Sequence, residues 1–266
     1  MEIIDFHTHA FTDSLAERAM SSLSHTSEIE PSSDGTVGGL LKTMDICGIS
    51  RSVILPIATK PSQQHTINSW AAQIMSSRIR CCGTVHPDAP DALDEIERIK
   101  ELGLCGIKLH SEYQDFNPDE ERMLPIYRKA AECGLFVVFH GGWDPYSKDV
   151  IRATPERMAI AAESVPELIF RFAHLGGMNQ WDDAERYIVG RLDNVYLDVS
   201  VIAGYIKDEQ LLRIIRNHGA DKILFGSDCP WDLPSNEITM INRLPLSDEE
   251  KEKIFHKNAE HLLLID

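Results

Sequence analysis

The sequence predicts an α/β fold, a single (β/α)8 or TIM barrel, and three observations carry that prediction. Short apolar runs of strand length alternate strictly with amphipathic helical patterns from one end of the chain to the other. Counting gives eight of each, the number that closes a parallel sheet on itself. The length of 266 residues matches the roughly 250 that such a barrel uses as one unit. A doubly wound open sheet is the competitor, but no G-x-G-x-x-G follows the first strand and no P-loop motif occurs. One unit over 1–266 is expected, because no linker rich in Pro, Gly and Ser divides the chain.

The first strand is read at Glu2–Phe6. Residues 12–35 follow as the one long irregular stretch, polar and Ser-rich; in a barrel they lie over the C-terminal mouth as a lid or rim loop, with a plain surface loop as the alternative. Helix Val37–Cys47 leads to strand Ser52–Ile57, and helix Gln63–Ser77 leads to Arg80–Val85. Helix Asp91–Leu102, stopped by Gly103, precedes strand Cys105–Leu109. Helix Pro118–Cys133 ends at Gly134 before strand Leu135–Phe139. Helix Pro155–Ser164 precedes strand Leu168–Ala173, and Trp181–Arg191 precedes Val195–Val199. Helix Asp208–Asn217, stopped by Gly219, precedes the last strand, Ile223–Gly226. Ser247-Asp248-Glu249-Glu250 is the capping signature that opens the last helix, Asp248–Lys257.

Charge and cysteine usage narrow the function. With 42 acidic and 26 basic residues the net charge is −16, a field that repels nucleic-acid phosphates and anionic membrane surfaces. The acidic N-terminus lacks the basic start of a secretory signal, and no apolar run approaches the roughly 20 residues of a membrane span. Cys47, Cys81, Cys82, Cys105, Cys133 and Cys229 form no C-x-x-C pair, which reads as reduced thiols in a cytoplasmic protein. A metal here is therefore expected on imidazole and carboxylate. The expected partner is a small-molecule substrate; homo-oligomerisation is left open.

Six histidines, His7, His9, His86, His110, His140 and His174, fall at or just after predicted strand ends, where a barrel gathers them around one pocket. Residues two apart on a strand share a face, so His7 and His9 both aim into the mouth. His140-Gly141-Gly142 and His174-Leu175-Gly176-Gly177 each close an apolar strand with a histidine followed by glycines. Asp228 lies at the end of the last strand, where a buried carboxylate needs a cationic partner. His7, His9, His140 and Asp228 together make a three-nitrogen, one-oxygen set suited to zinc or another divalent transition ion.

These residues resemble the amidohydrolase superfamily of metal-dependent barrels, and most of all its amidohydrolase 2 branch, which includes aminocarboxymuconate-semialdehyde decarboxylase. The resemblance runs over nearly the whole chain, in the order IDFHTH, GIKLH, FVVFHGG, FAHLGG, NVYLDVS, ILFGSDCPW and EEKEKIFHKNAEHLL. It implies that His7, His9, His140 and Asp228 bind the metal and that His174 assists the chemistry. In binuclear relatives a carboxylated lysine of the fourth strand bridges two metals; Lys108 stands there, so a carboxylated Lys108 implies two ions and an unmodified one implies a single ion, zinc being expected. The alternative for Lys108 is to hold a substrate carboxylate, with His110 as a further substrate contact. Trp143 and Trp231 either wall a flat ring or simply pack.

The leading expectation is hydrolysis of an amide, ester or lactone in a small carboxylated or cyclic molecule, through metal-bound hydroxide, with Asp228 shuttling the proton and His174 polarising the carbonyl. The alternative is a non-oxidative, metal-dependent decarboxylase of an aromatic or unsaturated acid, which uses the same ligands. A non-catalytic metal-binding barrel is the third reading; a structural metal gains nothing from an extra base such as His174.

Overall fold

A computed structural model of the chain describes residues 2–264. Met1, Ile265 and Asp266, the ends of the expected 1–266 unit, lie outside the described residues. Eight parallel strands form the barrel wall: β1 (Ile4–Thr8), β2 (Arg51–Ile54), β3 (Ile79–Cys81 continued by Gly83–Thr84), β4 (Gly106–Leu109), β5 (Phe136–Phe139), β6 (Phe170–Phe172), β7 (Val195–Asp198) and β8 (Ile223–Leu224). Each pairs in parallel with the next, for example Thr84 opposite Lys108 and Lys108 opposite Val138.

The seam between the last strand and the first closes the circle. Phe6 N–H donates to the Phe225 carbonyl at 2.9 Å, Asp228 N–H to the His7 carbonyl at 2.8 Å, and His9 N–H to the Cys229 carbonyl at 2.7 Å. Asp5 ties the seam from within. Its carboxylate accepts the Ser227 hydroxyl at 2.5 Å and the Ser227 and His7 backbone N–H groups at 3.0 and 3.1 Å. Burial pushes the Asp5 carboxyl up to about 7 despite those bonds. Gly226 is required at this seam, because a Cβ there would lie 2.8 Å from the His7 Cβ.

The strands read as continuous apolar runs because both faces are covered. Inside, Ile4, Phe6, Val53, Val138 and Leu224 belong to one cluster; outside, residues such as Ile107, Val137 and Leu197 pack under the helices in a larger one. The sequence-derived helices recur with small shifts, Pro155–Ser164 unchanged and Gln64–Ile74, Ala92–Glu101 and Asp208–His218 close to expectation. No described helix is long and apolar enough to cross a membrane.

Besides shifted helix ends (the helix expected from Pro118 begins at Leu124, that from Trp181 stops at Tyr187, and the last runs on to Leu263), four features differ from the sequence expectation. The first strand starts and ends two residues later, which puts His7 inside it. The third strand is broken at Cys82, where the backbone N–H turns to the Ile54 carbonyl at 3.0 Å. Residues 12–35 are not a loop throughout: Asp13–Ser27 is a helix that buries Ala16 and Met20. Its serines and charges disguised a short apolar stripe at helical spacing. A further helix, Pro234–Arg243, follows the last strand; it burial-anchors through Met240 and Ile241 and opens on a proline at its first position.

Candidate active site at the strand ends

His7, inside β1, and His9, just after it, point to the C-terminal mouth as the period of two requires. His9 Nδ1–H donates to the Leu55 carbonyl at 2.9 Å, so the neutral ring presents a lone pair at Nε2. That lone pair faces Asp228 Oδ1 at 3.0 Å. His7 Nδ1 lies 3.0 Å from Asp198 Oδ2, and its Nε2 lies 3.2 Å from the same Asp228 Oδ1. Burial pushes the His7 imidazole down to about 3, which keeps it neutral. Burial alone would raise Asp228; positive charge on the His7 and His9 side holds it below the usual carboxylate range, and with both rings neutral that charge has to come from a bound cation.

Two imidazole lone pairs and a carboxylate oxygen therefore converge, with ligand atoms all within 4.8 Å of one another. Three acceptors in that arrangement repel unless a cation stands among them, so this donor set fits a divalent metal. His140 is in the same pocket but outside that tight triad. Its Nδ1 lies 3.1 Å from His174 Nε2, and its Nε2 is buried with no hydrogen-bond partner.

Asp198, which sequence reasoning passed over, organises the inner wall. Its Oδ2 accepts from the fully buried Arg171 guanidinium at 2.6 Å, and its Oδ1 accepts the His174 and Ser200 backbone N–H groups at 3.1 Å each. Burial would raise this carboxyl, but His7 and Arg171 keep it well below the ordinary range. Arg171 also donates to the Phe6 carbonyl and lies 4.7 Å over the Phe6 ring. A charged residue inside each of two apolar runs, Arg171 in FRF and Asp198 in VYLD, was the signal that marks the pair.

The histidine–glycine turns behave as expected, and the reason is backbone contact. A Cβ on Gly142, at φ +82°, would meet Met178 N at 2.3 Å, so the loops after β5 and β6 pack main chain to main chain. His174 itself is left-handed (φ 57°, ψ 43°) and is held so by its Nδ1 at 2.9 Å from the Ser200 carbonyl. Asp228 is likewise at φ 66°. Non-glycine residues in this region cost energy that the surrounding bonds must offset, and both face the pocket.

Lys108 and His110 both line the pocket, as alternation on β4 predicts, and Trp143 and Trp231 line it too. Lys108 is buried; burial and the Arg171 charge push its ammonium down to about 8. His110 stacks between Tyr113, at 3.6 Å, and His140, at 4.4 Å. Glu112, also missed by sequence reasoning, sits beside them: its Oε2 lies 3.3 Å from His110 Nδ1. Ligand atoms of His110, Glu112 and His140 come within 4.8 Å of one another. The two imidazoles lie face to face, 8° from parallel, so their in-plane lone pairs run side by side and do not converge on a point. His110 Nδ1, Glu112 Oε2 and His140 Nε2 are nonetheless all buried without a hydrogen-bond partner. His86 does not join the site; its backbone N–H and Nδ1 are spent on Gln64 and Asp88.

The amidohydrolase family model matches residues 4–265, and the chain belongs to that family, in its amidohydrolase 2 branch of metal-dependent hydrolases and carboxy-lyases. The chain is 24% identical over 245 residues to the 2-amino-3-carboxymuconate-6-semialdehyde decarboxylase of Dictyostelium discoideum, covering 75% of this chain and 66% of that one. It thus spans slightly less than two thirds of the length of this relative. A TIM-barrel protein of Bordetella bronchiseptica superposes with a TM-score of 0.81 at 19% identity, over 99% of each chain. The 5-carboxyvanillate decarboxylase of Novosphingobium aromaticivorans, solved with manganese and 4-hydroxy-3-methoxy-5-nitrobenzoic acid, superposes at 0.75 with 20% identity, over 99% of this chain and 96% of that one.

The Asp198–Arg171 pair gives a direct test of this wall. Asp198→Ala leaves Arg171 as an uncompensated buried charge and is expected to cost about 3–5 kcal/mol, read as a lower urea midpoint with an unchanged slope.

Proposed function

We propose that the chain is a metal-dependent decarboxylase of an aromatic or unsaturated carboxylic acid. Hydrolysis, the leading expectation from the sequence, gives way to the alternative, because the two relatives above whose names carry a reaction are decarboxylases. The observation that carries the reading is one pocket in which the acceptor cluster at His7, His9 and Asp228 faces the buried ammonium of Lys108 across aromatic walls of Trp143, Tyr113 and Trp231.

His7, His9, His140 and Asp228 would hold one divalent ion, with zinc favoured by the donor set and manganese by the Novosphingobium enzyme. When bound, that ion supplies Lewis acidity that orients and polarises the substrate. Lys108, unmodified, pairs with the substrate carboxylate, and the aromatic walls hold the flat carbon skeleton while excluding water. His174 donates Nδ1–H to the Ser200 carbonyl, so the proton to be transferred is the second one, carried at Nε2 of the cationic ring, where His140 Nδ1 lies 3.1 Å away. In the chemical step that proton moves to the carbon bearing the carboxylate and forms a C–H bond with the skeleton's π electrons. The C–C bond to the carboxylate then breaks, its electron pair returns to the skeleton, and carbon dioxide leaves. Solvent reprotonates His174.

The roles separate by measurement. His9→Ala is expected to lose most of its metal by elemental analysis. His174→Ala keeps it while kcat for carbon dioxide release falls by about a hundredfold or more; loss of metal from His174→Ala would instead make His174 a ligand.

Lys108 sets a pH dependence. It is cationic below its pKa and neutral above it, so carboxylate binding weakens as pH rises through about 8. KM is expected to rise above that pH in the unmodified enzyme, and Lys108→Met is expected to raise KM and to abolish the rise.

A further inference from the structure

A second cavity adjoins the one just described. It has a volume of ≈ 770 Å³, against ≈ 100 Å³ of open space at the metal-ligand cluster, and His9, Leu23, Ile57, Tyr113 and Tyr146 line both. An apolar cavity of about 150 Å³ just admits benzene, so a substituted ring at the cluster needs room beyond it. The adjoining chamber has the size of a typical small-molecule pocket, about 300–1,000 Å³.

Its walls state what it would take. Leu15 and Leu23 on helix Asp13–Ser27 turn towards it instead of joining Ala16 and Met20 in the core, and Leu15 remains 37% exposed. Ile67 and Trp70 on helix Gln64–Ile74 line it as well. No lysine or arginine among the described residues lines the chamber. Its one carboxylate among the described residues is Glu112: Oε1 accepts the Arg152 and Ala153 backbone N–H groups at 2.8 and 3.2 Å, and Oε2 is buried 3.3 Å from His110 Nδ1 without a hydrogen bond. A second anionic group would find no partner here, whereas hydrocarbon would cover the exposed leucine and tryptophan surface.

We infer that this chamber binds an uncharged, apolar extension of the substrate, an alkyl or aryl substituent, while the carboxylate stays beside Lys108. The inference rests on the carboxylic-acid reading of the neighbouring pocket and adds to it the class of acid: one carboxylate and an apolar tail. Tyr113 and Tyr146, edge to face at 5.2 Å between ring centres, stand where the tail passes from one space to the other.

The test is calorimetric binding of benzoate, 4-ethylbenzoate and 4-butylbenzoate to the full, metal-loaded chain. Each added methylene is expected to tighten Kd by about fourfold, so butyl, with two more methylenes, outbinds ethyl by about fifteenfold. Ile67→Trp, which fills the chamber, is expected to shrink that gain below about twofold while leaving benzoate itself unchanged. Thr66→Trp, exposed on the same helix and also lining the chamber, gives the same reading if the first variant does not fold. Equal affinities for the three acids, or a chain-length gain that survives filling, overturns the chamber. If 1-butyl-4-methylbenzene binds as tightly as 4-butylbenzoate, the chamber stands and the carboxylate reading falls. Absence of binding by all three acids overturns both.

Discussion

The seam between β8 and β1 is the constraint on which the site depends. Asp5 and Ser227 are 222 residues apart in the chain, yet their side chains are bonded at 2.5 Å. The ladder bonds on either side bring His7 and His9 against Asp228, and no local element could do so. Gly226 sets how close the two strands come at the His7 side chain.

Behind the seam, electrostatics decide which groups carry charge. Arg171 is the buried cation that holds Asp198 ionised, and Asp198 in turn receives His7 Nδ1, leaving Nε2 free towards Asp228. Leu55 does the same for His9 through its carbonyl, and Ser200 for His174. His7 and His9 thus have the outer nitrogen committed to an acceptor and the inner nitrogen turned to Asp228, which is how histidine tautomers are fixed at metal centres, whereas the inner nitrogen of His174 meets His140 Nδ1 at 3.1 Å. The left-handed backbone at His174 and Asp228 is the conformational cost of aiming those groups inward.

Much of this was legible in the chain. Strand and helix order followed from alternating apolar runs and amphipathic stretches, because a parallel barrel buries both faces of its strands. The H-x-H at His7 and His9 and the aspartate at position 228 were visible because their residue types are unusual at apolar strand ends. The Asp13–Ser27 helix was obscured by its polar surface, and Pro234–Arg243 by the expectation of one helix per strand. Asp198 and Glu112 escaped notice for a different reason: their roles exist only through partners distant in sequence, Arg171 and His7 for the first, His110 for the second. Spacing within one segment carries no trace of such contacts. Choosing decarboxylation over hydrolysis needed the relatives, since both chemistries use the same ligands.

The central claim is that one metal binds where the first and last strands meet. Anomalous scattering from crystals grown with manganese, recorded on either side of the manganese absorption edge, tests it most directly. The account predicts a single peak enclosed by His7, His9, His140 and Asp228, with Lys108 carrying no extra density on its amine. A peak among His110, Glu112 and His140, or a pair of peaks bridged by a carboxylated Lys108, would contradict it.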